Sequence, residues 1–297
     1  MHQASVDAGL ALSFPSLATP LASAGHVCRS GVGTPLFYTP AKLGAWAVTP
    51  PPRGLKKLYL RSFGIPDVRA QLTATYLTRA LAQFPSARIL DVGCGNGWFP
   101  CVAAAQLPGS EVVGWDREAE SIAFASRVAA QNALGNVRFE IVDVERGEMA
   151  GTYDWISCLA VLEFIDNVPL LLERLVRILE PGGHLVVQLP GTAFRGFLMR
   201  RGTSARRLPD FREMRHGFSE DESGRLMRAA GLEIVSMETV IKGPTIVAKE
   251  LFYLALSVER RLPMLLTPLL NWITVLDPWY PGRGNGVLVV ARKPIPA

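Results

Sequence analysis

The strongest constraint on the fold is a regular alternation of short apolar runs with longer helix-like segments. The apolar runs are rich in Val, Ile and Leu, which is typical of buried strands, and the segments between them repeat apolar residues at helical spacing. Such alternation predicts an α/β fold, a doubly wound and mostly parallel sheet with helices on both faces. Seven strands are predicted in this way, at or near 87–92, 111–116, 137–143, 153–159, 184–190, 232–240 and 286–294.

The first 52 residues differ from the rest of the chain. They are rich in Ala, Ser, Gly and Pro and carry few charges, a composition typical of segments that do not fold by themselves. We therefore expect residues 1–52 to be a disordered or loosely attached extension, and residues 53–297 to form the main domain. Two segments interrupt the alternation, an arginine-rich one at 191–217 and an apolar one at 242–282, and we expect both to act as lids over a site.

Cysteine usage and hydropathy limit the class of protein. The four cysteines form no CxxC pair, which argues against a zinc site or a disulfide framework and fits a reducing compartment. We expect no metal. The longest apolar run begins at Leu262 and contains Pro263 and Pro268, and it is shorter than the roughly 20 residues that span a membrane. We expect a cytoplasmic protein, with peripheral contact to a membrane as an option.

A glycine-rich loop follows the first strand, with Gly93, Gly95 and Gly97 at alternate positions. In the dinucleotide fingerprint GxGxxG the third glycine lets a helix pack closely on a strand, but Trp98 occupies that position here. A phosphate-binding P-loop needs a lysine after its last glycine, and none follows. Both phosphate interpretations are weakened, although an NAD-dependent oxidoreductase stays open as an alternative.

Acidic residues stand at the ends of three successive strands. Asp91 ends the first strand, where its carboxylate would face a cationic amino group. Asp116 ends the second, where a carboxylate can accept two hydrogen bonds from ribose hydroxyls. Asp143 ends the third, within reach of an adenine amino group. This pattern favours a nucleoside that carries an amino acid over a pyrophosphate.

Five motifs occur in order along the chain: ILDVGCGNGWFP, VVGWD, VRFEIVDVE, YDWISCLAVLEFIDN and LEPGGHLVVQLP. They resemble the motif series of class I S-adenosylmethionine-dependent methyltransferases, most closely the small-molecule branch that includes quinone-biosynthesis enzymes. The closing segments from Phe218 also resemble the last helix and reversed last strand of that family. The resemblance implies a Rossmann-like sheet with an antiparallel last strand, S-adenosyl-L-methionine as the cofactor, and methyl transfer to a small lipid-like or aromatic acceptor.

The resemblance also implies which residues bind the cofactor. They are Asp91, Gly93, Gly95 and Leu159 at the methionine end, Asp116 and Arg117 at the ribose, and Asp143 and Val144 at the adenine. Many relatives have a histidine where this chain has Phe164, so the pattern fixes no general base. His216 is the candidate catalytic residue, because it lies ahead of the last helix, where relatives build substrate sites. Glu163 and Tyr280 are weaker candidates.

The two lid segments suggest the acceptor and the partners. The arginines of 191–217 form either a solvated loop or a binding site for an acidic substrate or an anionic membrane. The apolar segment 242–282 is extra core, a homodimer interface or a roof over a lipid-like acceptor. No nucleic-acid partner is expected, since no NPPY-like tetrad follows the fourth strand. A catalytically silent S-adenosylmethionine-binding protein of the same fold is an alternative, because no base is evident.

Overall fold

The computed structural model describes residues 86–192, 217–259 and 262–296. The strands are β1 (Arg88–Val92), β2 (Glu111–Asp116), β3 (Val137–Ile141), β4 (Tyr153–Leu159), β5 (Leu179–Pro190), β6 (Glu233–Val240) and β7 (Gly286–Arg292). The α-helices are α1 (Trp98–Gln106), α2 (Ala119–Gln131), α3 (Val168–Ile178), α4 (Glu220–Ala229), α5 (Gly243–Val258) and α6 (Leu262–Val275). Short 3₁₀ helices lie at Leu162–Phe164 and Asp277–Trp279.

The strands form one seven-stranded sheet in the order β3-β2-β1-β4-β5-β7-β6. The first five strands are mutually parallel, whereas β7 runs antiparallel to both β5 and β6. The prediction of a doubly wound, mostly parallel α/β sheet with an antiparallel last strand is therefore confirmed. The extension 1–52 and most of the segment 191–217 lie outside the described residues, so the expectations for them stay predictions.

Strand β5 begins earlier than the sequence predicts. Helix α3 ends at Ile178 and the strand follows at once, so the Pro-Gly-Gly segment at 181–183 lies inside β5 instead of ahead of it. Gly182 has a φ of +79°, and the pairing of β4 with β5 changes register there. The amide of Gly182 donates to the carbonyl of Lys293 at 2.8 Å, and the amide of Lys293 donates to that of Gly183 at 2.9 Å. Pairing with the end of the chain thus continues the strand through residues that locally favour a break.

The core lies on both faces of the sheet. Because successive side chains of a strand point to opposite faces, Leu90 and Ile89 belong to different clusters. On one face α3 and α4 cover the sheet, and Leu175 and Met227 are fully buried there. On the other face α1 packs through buried side chains such as Val102. Both faces are therefore occupied, which leaves the strand ends as the place for a ligand.

Two side chains at the start of α4 cap the helix. The Ser219 hydroxyl accepts a hydrogen bond from the Glu222 amide at 3.2 Å, and the Glu222 carboxylate accepts one from the Ser219 amide at 2.9 Å. This reciprocal pair is a capping box, which satisfies amides that the first helical turn leaves unpaired. Gly231, with a φ of +80°, follows the end of the helix, where glycine is common.

The apolar segment between β6 and β7 forms a helical hairpin of α5 and α6. Ala248 and Leu270 are fully buried between the two helices. Helix α5 has no capping side chain next to it in sequence. Instead the buried carboxylate of Asp277 accepts hydrogen bonds from the amides of Lys242 and Thr245, both at 3.0 Å. The end of the hairpin therefore caps its own beginning.

Among the described residues, no helix has both the length and the apolar character needed to cross a membrane. Helix α6 contains the long apolar run that begins at Leu262. Its inward residues pack on α5, so part of the segment serves as extra core, one of the options that the sequence leaves open.

The remote cap can be tested by removing the Asp277 carboxylate. We expect Asp277→Ala to lower the free energy of unfolding by about 1–2 kcal/mol, since two amides at the start of α5 lose their acceptor. Urea titration followed by circular dichroism measures this. Asp221→Ala removes an exposed acid from the first turn of α4 and is the matched control, with an expected loss below about 0.5 kcal/mol. Equal losses in the two variants would contradict the cap.

Candidate functional site

The three acids that the sequence places at strand ends lie along one edge of the sheet. Parallel strands bring their carboxyl ends to the same edge, and Asp91, Asp116 and Asp143 lie within two residues of the ends of β1, β2 and β3. The strand order reverses between β1 and β4. In open α/β sheets, ligands bind outside the carboxyl ends of the strands at such a reversal. The three acids therefore lie at the edge of the sheet where a ligand is expected, and their binding roles stay predictions.

The three loop glycines all have left-handed backbone conformations but serve different purposes. Their φ angles are +68°, +51° and +73° for Gly93, Gly95 and Gly97, a region in which glycine carries no steric cost. A Cβ on Gly93 would lie 2.3 Å from a methyl of Val161, and one on Gly97 would lie 2.4 Å from the Cβ of Ala125. A Cβ on Gly95 would meet no atom within 4 Å. Of the three, Gly95 alone leaves open space beside the backbone.

The close helix packing that the sequence assigns to position 98 occurs one residue earlier. Gly97 precedes α1 and accepts a hydrogen bond from the amide of Cys101 at 3.0 Å. Trp98 itself is 8% exposed and packs with Phe99 in the core on that face. Gly97 therefore permits the close packing that the third glycine of the dinucleotide fingerprint provides, since a Cβ there would collide with Ala125 and Phe139. Trp98 packs in the core.

Asp116 ties the glycine loop to the end of β2. One of its carboxylate oxygens accepts a hydrogen bond from the Gly95 amide at 2.8 Å, and the other accepts one from the Glu118 amide at 2.9 Å. A carboxylate has about four acceptor positions, so each oxygen retains capacity for a ligand hydroxyl. Arg117 is largely exposed and pairs with Glu118 at 3.4 Å, an arrangement that contributes little to stability.

Asp91 is the buried acid of the group, with 4% of its surface exposed. Its carboxylate accepts a hydrogen bond from the Ser157 hydroxyl of β4 at 2.6 Å. The pKa of Asp91 is raised to about 7, mainly because burial disfavours the charged form; the Ser157 hydrogen bond lowers the pKa, and the nearby Asp116 charge raises it. A carboxyl that ionises near neutral pH at the end of a strand is suited to a cationic group, which would favour its charged form.

The loop after β3 is held by a residue that sequence analysis missed. Asp143 accepts a hydrogen bond from the Glu145 amide at 2.9 Å. From α3, the guanidinium of Arg174 donates to the carbonyl oxygens of Val144 at 2.7 Å and Glu145 at 2.8 Å, and also to that of Gly147. Hydrogen bonds from a charged donor are stronger than neutral ones. Arg174 therefore fixes the backbone of this loop, including the predicted site residues Asp143 and Val144.

Nothing in the local sequence distinguishes Arg174 from Arg177, one turn further along α3. The structure separates them, because Arg177 pairs with Glu173 on the exposed face whereas Arg174 reaches a loop about thirty residues away in sequence. The different roles of the two arginines arise from a tertiary contact of Arg174, and the periodicity of the sequence does not reveal such a contact.

The turn after β4 contacts the glycine loop. Leu159 ends β4 with its surface partly buried, and the next residue, Ala160, has a φ of +56°. A non-glycine residue in that region is uncommon and is often held by a functional site. The amide of Ala160 donates a hydrogen bond to the carbonyl of Gln188 at 3.1 Å. Val161 then fills the space beside Gly93, so the β4 turn and the glycine loop form adjoining walls of the site.

The candidate catalytic residues differ in whether the structure describes them and in how exposed they are. His216 lies outside the described residues. Glu163 is 3% exposed in the 3₁₀ helix after β4, and Tyr280 is 38% exposed at the end of the α5–α6 hairpin. His184 is buried and stacks on Trp155, and burial lowers its pKa to about 4, which indicates a neutral, structural imidazole. Within the described ranges no cluster of three or more potential metal ligands occurs.

Comparison with known proteins assigns the domain. A family model described as a methyltransferase domain matches residues 67–237. Trans-aconitate 2-methyltransferase of Deinococcus radiodurans is 36% identical over 114 residues, which cover 38% of this chain and 42% of that protein. Ubiquinone biosynthesis O-methyltransferase of Nitrobacter winogradskyi is 30% identical over 121 residues, covering 41% and 45% respectively. The chain thus matches less than half the length of these two relatives.

Solved structures share the fold. The [4+2]-cyclase SpnF aligns with a TM-score of 0.55 and 22% identity, over 90% of this chain and 100% of that one. Coclaurine N-methyltransferase, bound to N-methylheliamine and SAH, aligns with a TM-score of 0.53 and 17% identity, over 75% and 73% of the two chains. At these identities the similarity establishes the fold alone.

The Arg174 contact predicts a local change when the guanidinium is removed. In Arg174→Met the amides of residues 145–147 should exchange with solvent about tenfold faster, because the loop loses the donor that holds three of its carbonyls. Hydrogen exchange followed by mass spectrometry measures this. Arg177→Met, on the exposed face of the same helix, is the control and should leave exchange unchanged. Unaltered exchange in Arg174→Met would show that the loop is held by other contacts.

Proposed function

Since the chain belongs to the methyltransferase domain family, we propose that it transfers a methyl group from S-adenosyl-L-methionine to a small lipid-like or aromatic acceptor. The observation that carries this proposal is the set of three carboxylates at the ends of β1, β2 and β3, around a glycine loop with one open position. A ligand with an ammonium group, a ribose and an adenine matches this set in order. The family match to residues 67–237 supports the same assignment.

Each part of the proposed cofactor meets a group of suitable chemistry. Asp91 would bind the ammonium, because a buried carboxylate gains most from an opposite charge. Asp116 would accept hydrogen bonds from the two ribose hydroxyls while it keeps its bonds to the loop amides. Asp143 and Val144 would contact the adenine. Gly95 would let the methionine portion approach the backbone, since no Cβ occupies that space.

The other residues predicted to bind the cofactor, Gly93, Leu159 and Arg117, would lie around the three acids. Gly93 would shape the loop by admitting Val161, and Leu159 would contact the methionine end through its backbone. Arg117 would lie beside the ribose, where its long side chain can fold over the ligand. These assignments follow the family resemblance, and the contacts given above are compatible with each of them.

The bound cofactor would supply a methyl group on a sulfonium, which the acceptor would attack in line with the carbon–sulfur bond as that bond breaks and S-adenosylhomocysteine leaves. The protein would contribute mainly by holding the acceptor in that line, and orientation of this kind is worth up to roughly 7–11 kcal/mol in well-aligned reactions. The glycine loop after β1 and the turn after β4 would hold the end of the cofactor that carries the sulfur. A base is needed only where the acceptor must lose a proton, and for that case we propose His216.

The acceptor would bind against the two lid segments. The arginines of 191–217 would bind an acidic group, and the hairpin within 242–282 would cover an apolar part. The relatives named for trans-aconitate and for ubiquinone biosynthesis support a small-molecule acceptor, and we propose no nucleic-acid partner. An arrangement as a homodimer through the hairpin is a further proposal, as is contact with a membrane.

A second candidate function is binding of S-adenosylmethionine without methyl transfer. The observation that favours it is Phe164, which stands where many relatives have a histidine, so that the motifs fix no general base. Transfer of label from methyl-labelled S-adenosylmethionine to any acceptor would exclude this candidate. The alternative of an NAD-dependent oxidoreductase gains no support from the family match.

Cofactor binding can be tested at Asp116. Isothermal titration calorimetry of the full chain with S-adenosylhomocysteine should detect binding, and Asp116→Ala should weaken it about tenfold to hundredfold, because charge-assisted hydrogen bonds to the ribose are lost. Asp221→Ala, which removes an exposed acid on α4, is the control and should bind as the wild type does. Absence of binding heat in the wild type would refute the proposed cofactor.

The pKa of Asp91, raised to about 7 by burial, predicts a pH-dependent affinity. Below pH 7 this carboxyl is mostly protonated and must release a proton before it can pair with an ammonium. Affinity for S-adenosylhomocysteine should therefore rise by about tenfold from pH 6 to pH 8. The same titrations in buffers of different ionisation enthalpy should show proton release near pH 6.

Asp91→Asn is the matched variant for this pH dependence. It retains the shape of the side chain and a hydrogen-bond acceptor for Ser157 but cannot ionise. Its affinity should be lower and should no longer rise between pH 6 and pH 8. A wild-type affinity that is independent of pH across this range would contradict the proposed contact between Asp91 and the ammonium.

A further inference from the structure

Glu145 follows the predicted adenine residues Asp143 and Val144, and each of its polar groups makes a contact. Its amide donates a hydrogen bond to the carboxylate of Asp143 at 2.9 Å. Its carbonyl oxygen accepts one from the guanidinium of Arg174 at 2.8 Å. Its carboxylate accepts one from the amide of Asp166, in the turn after β4, at 2.8 Å. Glu145 thus joins the loop after β3 both to α3 and to the turn after β4.

The turn after β4, residues 160–167, reaches both of the loops that border the proposed cofactor site. Near its start Val161 fills the space beside Gly93 of the glycine loop, where a Cβ would lie 2.3 Å from a Val161 methyl. Near its end the amide of Asp166 binds Glu145 of the loop after β3. The proposed cofactor contacts place the methionine at the first loop and the adenine at the second. The turn therefore adjoins the site of both parts of the cofactor.

The two ends of this turn are held in different ways. Its regular structure is the single 3₁₀ turn Leu162–Phe164, an element with poor hydrogen-bond geometry, and Ala160 ahead of it has a φ of +56°. Leu162 and Ile165 are buried in the core on the face that α3 covers. Asp166 is exposed, and its amide binds the side chain of Glu145. The conformation of the far end therefore depends on where the Glu145 carboxylate lies.

We propose that Glu145 is a positioning residue that couples occupation of the cofactor site to the conformation of the turn after β4, an inference that rests on the proposed function. Adenine bound against Asp143 and Val144 would fix the loop after β3. Glu145 belongs to that loop, so its carboxylate would then hold the Asp166 amide in one place. The turn carries Glu163, a candidate catalytic residue that is 3% exposed. Cofactor binding would thereby set the position of this candidate before an acceptor binds.

The exposure of this hydrogen bond makes its effect depend on the ligand. Asp166 is exposed and Glu145 is half-buried, so water competes for both partners and the bond by itself is weak. A weak bond holds the turn while both partners are in place and loses its effect when the loop moves. Arg174 fixes the backbone of the loop from α3, whereas a bound adenine would fix its side toward the ligand. A ligand biases a conformation only through interactions that differ between two states, and the bond between Glu145 and Asp166 would differ in this way.

Hydrogen exchange of the full chain, followed by mass spectrometry with and without saturating S-adenosylhomocysteine, tests the coupling. In the wild type the amides of residues 163–167 should exchange at least about fivefold more slowly when the ligand is bound. In Glu145→Ala this ratio should fall below about twofold, because the carboxylate is lost while the backbone hydrogen bonds of residue 145 stay. Glu145→Gln retains an oxygen that can accept from Asp166 and should restore the ratio. Glu148→Ala, which removes an exposed acid three residues further along, is the matched control and should behave as the wild type does.

The ratio separates coupling from a structural contact, because loss of a structural contact would speed exchange by the same factor in the free and the bound protein. An unchanged ratio in Glu145→Ala would therefore overturn the inference, and so would a ratio that Glu145→Gln fails to restore. Calorimetric affinities for S-adenosylhomocysteine should agree within about threefold among the four proteins, since the contacts proposed for the ligand are retained. Absence of binding in the wild type would refute the cofactor, and this inference with it. Failure of the coupling alone is thereby distinguished from failure of the proposed function.

Discussion

The hydrogen bond from the Gly95 amide to the Asp116 carboxylate joins the loop after β1 to the end of β2. The same carboxylate binds the Glu118 amide at the start of α2, so one side chain fixes a loop, a strand end and a helix start. The glycine loop between β1 and α1 is thereby anchored at Gly95. The residue that this bond holds, Gly95, is also the one beside which a Cβ would meet no atom within 4 Å, and the proposed cofactor contact depends on that open space.

Two other charged side chains act in the same way at a distance. Arg174 binds three carbonyls of the loop after β3, and Asp277 binds two amides at the start of α5. In each case a side chain satisfies backbone groups that regular secondary structure leaves unpaired. The irregular segments around the sheet edge are therefore held in place by side chains and do not rely on local propensity.

The predictable part of this molecule is the part encoded locally. Strand and helix periods gave the strands and the helices between them, and the position of Asp91, Asp116 and Asp143 at strand ends followed from those periods. Arg174 was missed because its function arises only when α3 packs beside the β3 loop. The early start of β5 was missed because Pro-Gly-Gly favours a break locally, and pairing with the end of the chain overrides it. The cap of α5 by Asp277 spans 35 residues and has no local signal.

The most direct test of the central claim is a crystal structure of the full chain with S-adenosylhomocysteine bound. The account predicts the ammonium beside Asp91, both ribose hydroxyls within hydrogen-bonding distance of Asp116, and the adenine against Asp143 and Val144. It also predicts that Gly95 is the loop residue whose backbone lies closest to the ligand. A ligand bound elsewhere, or a ribose that does not contact Asp116, would contradict the account.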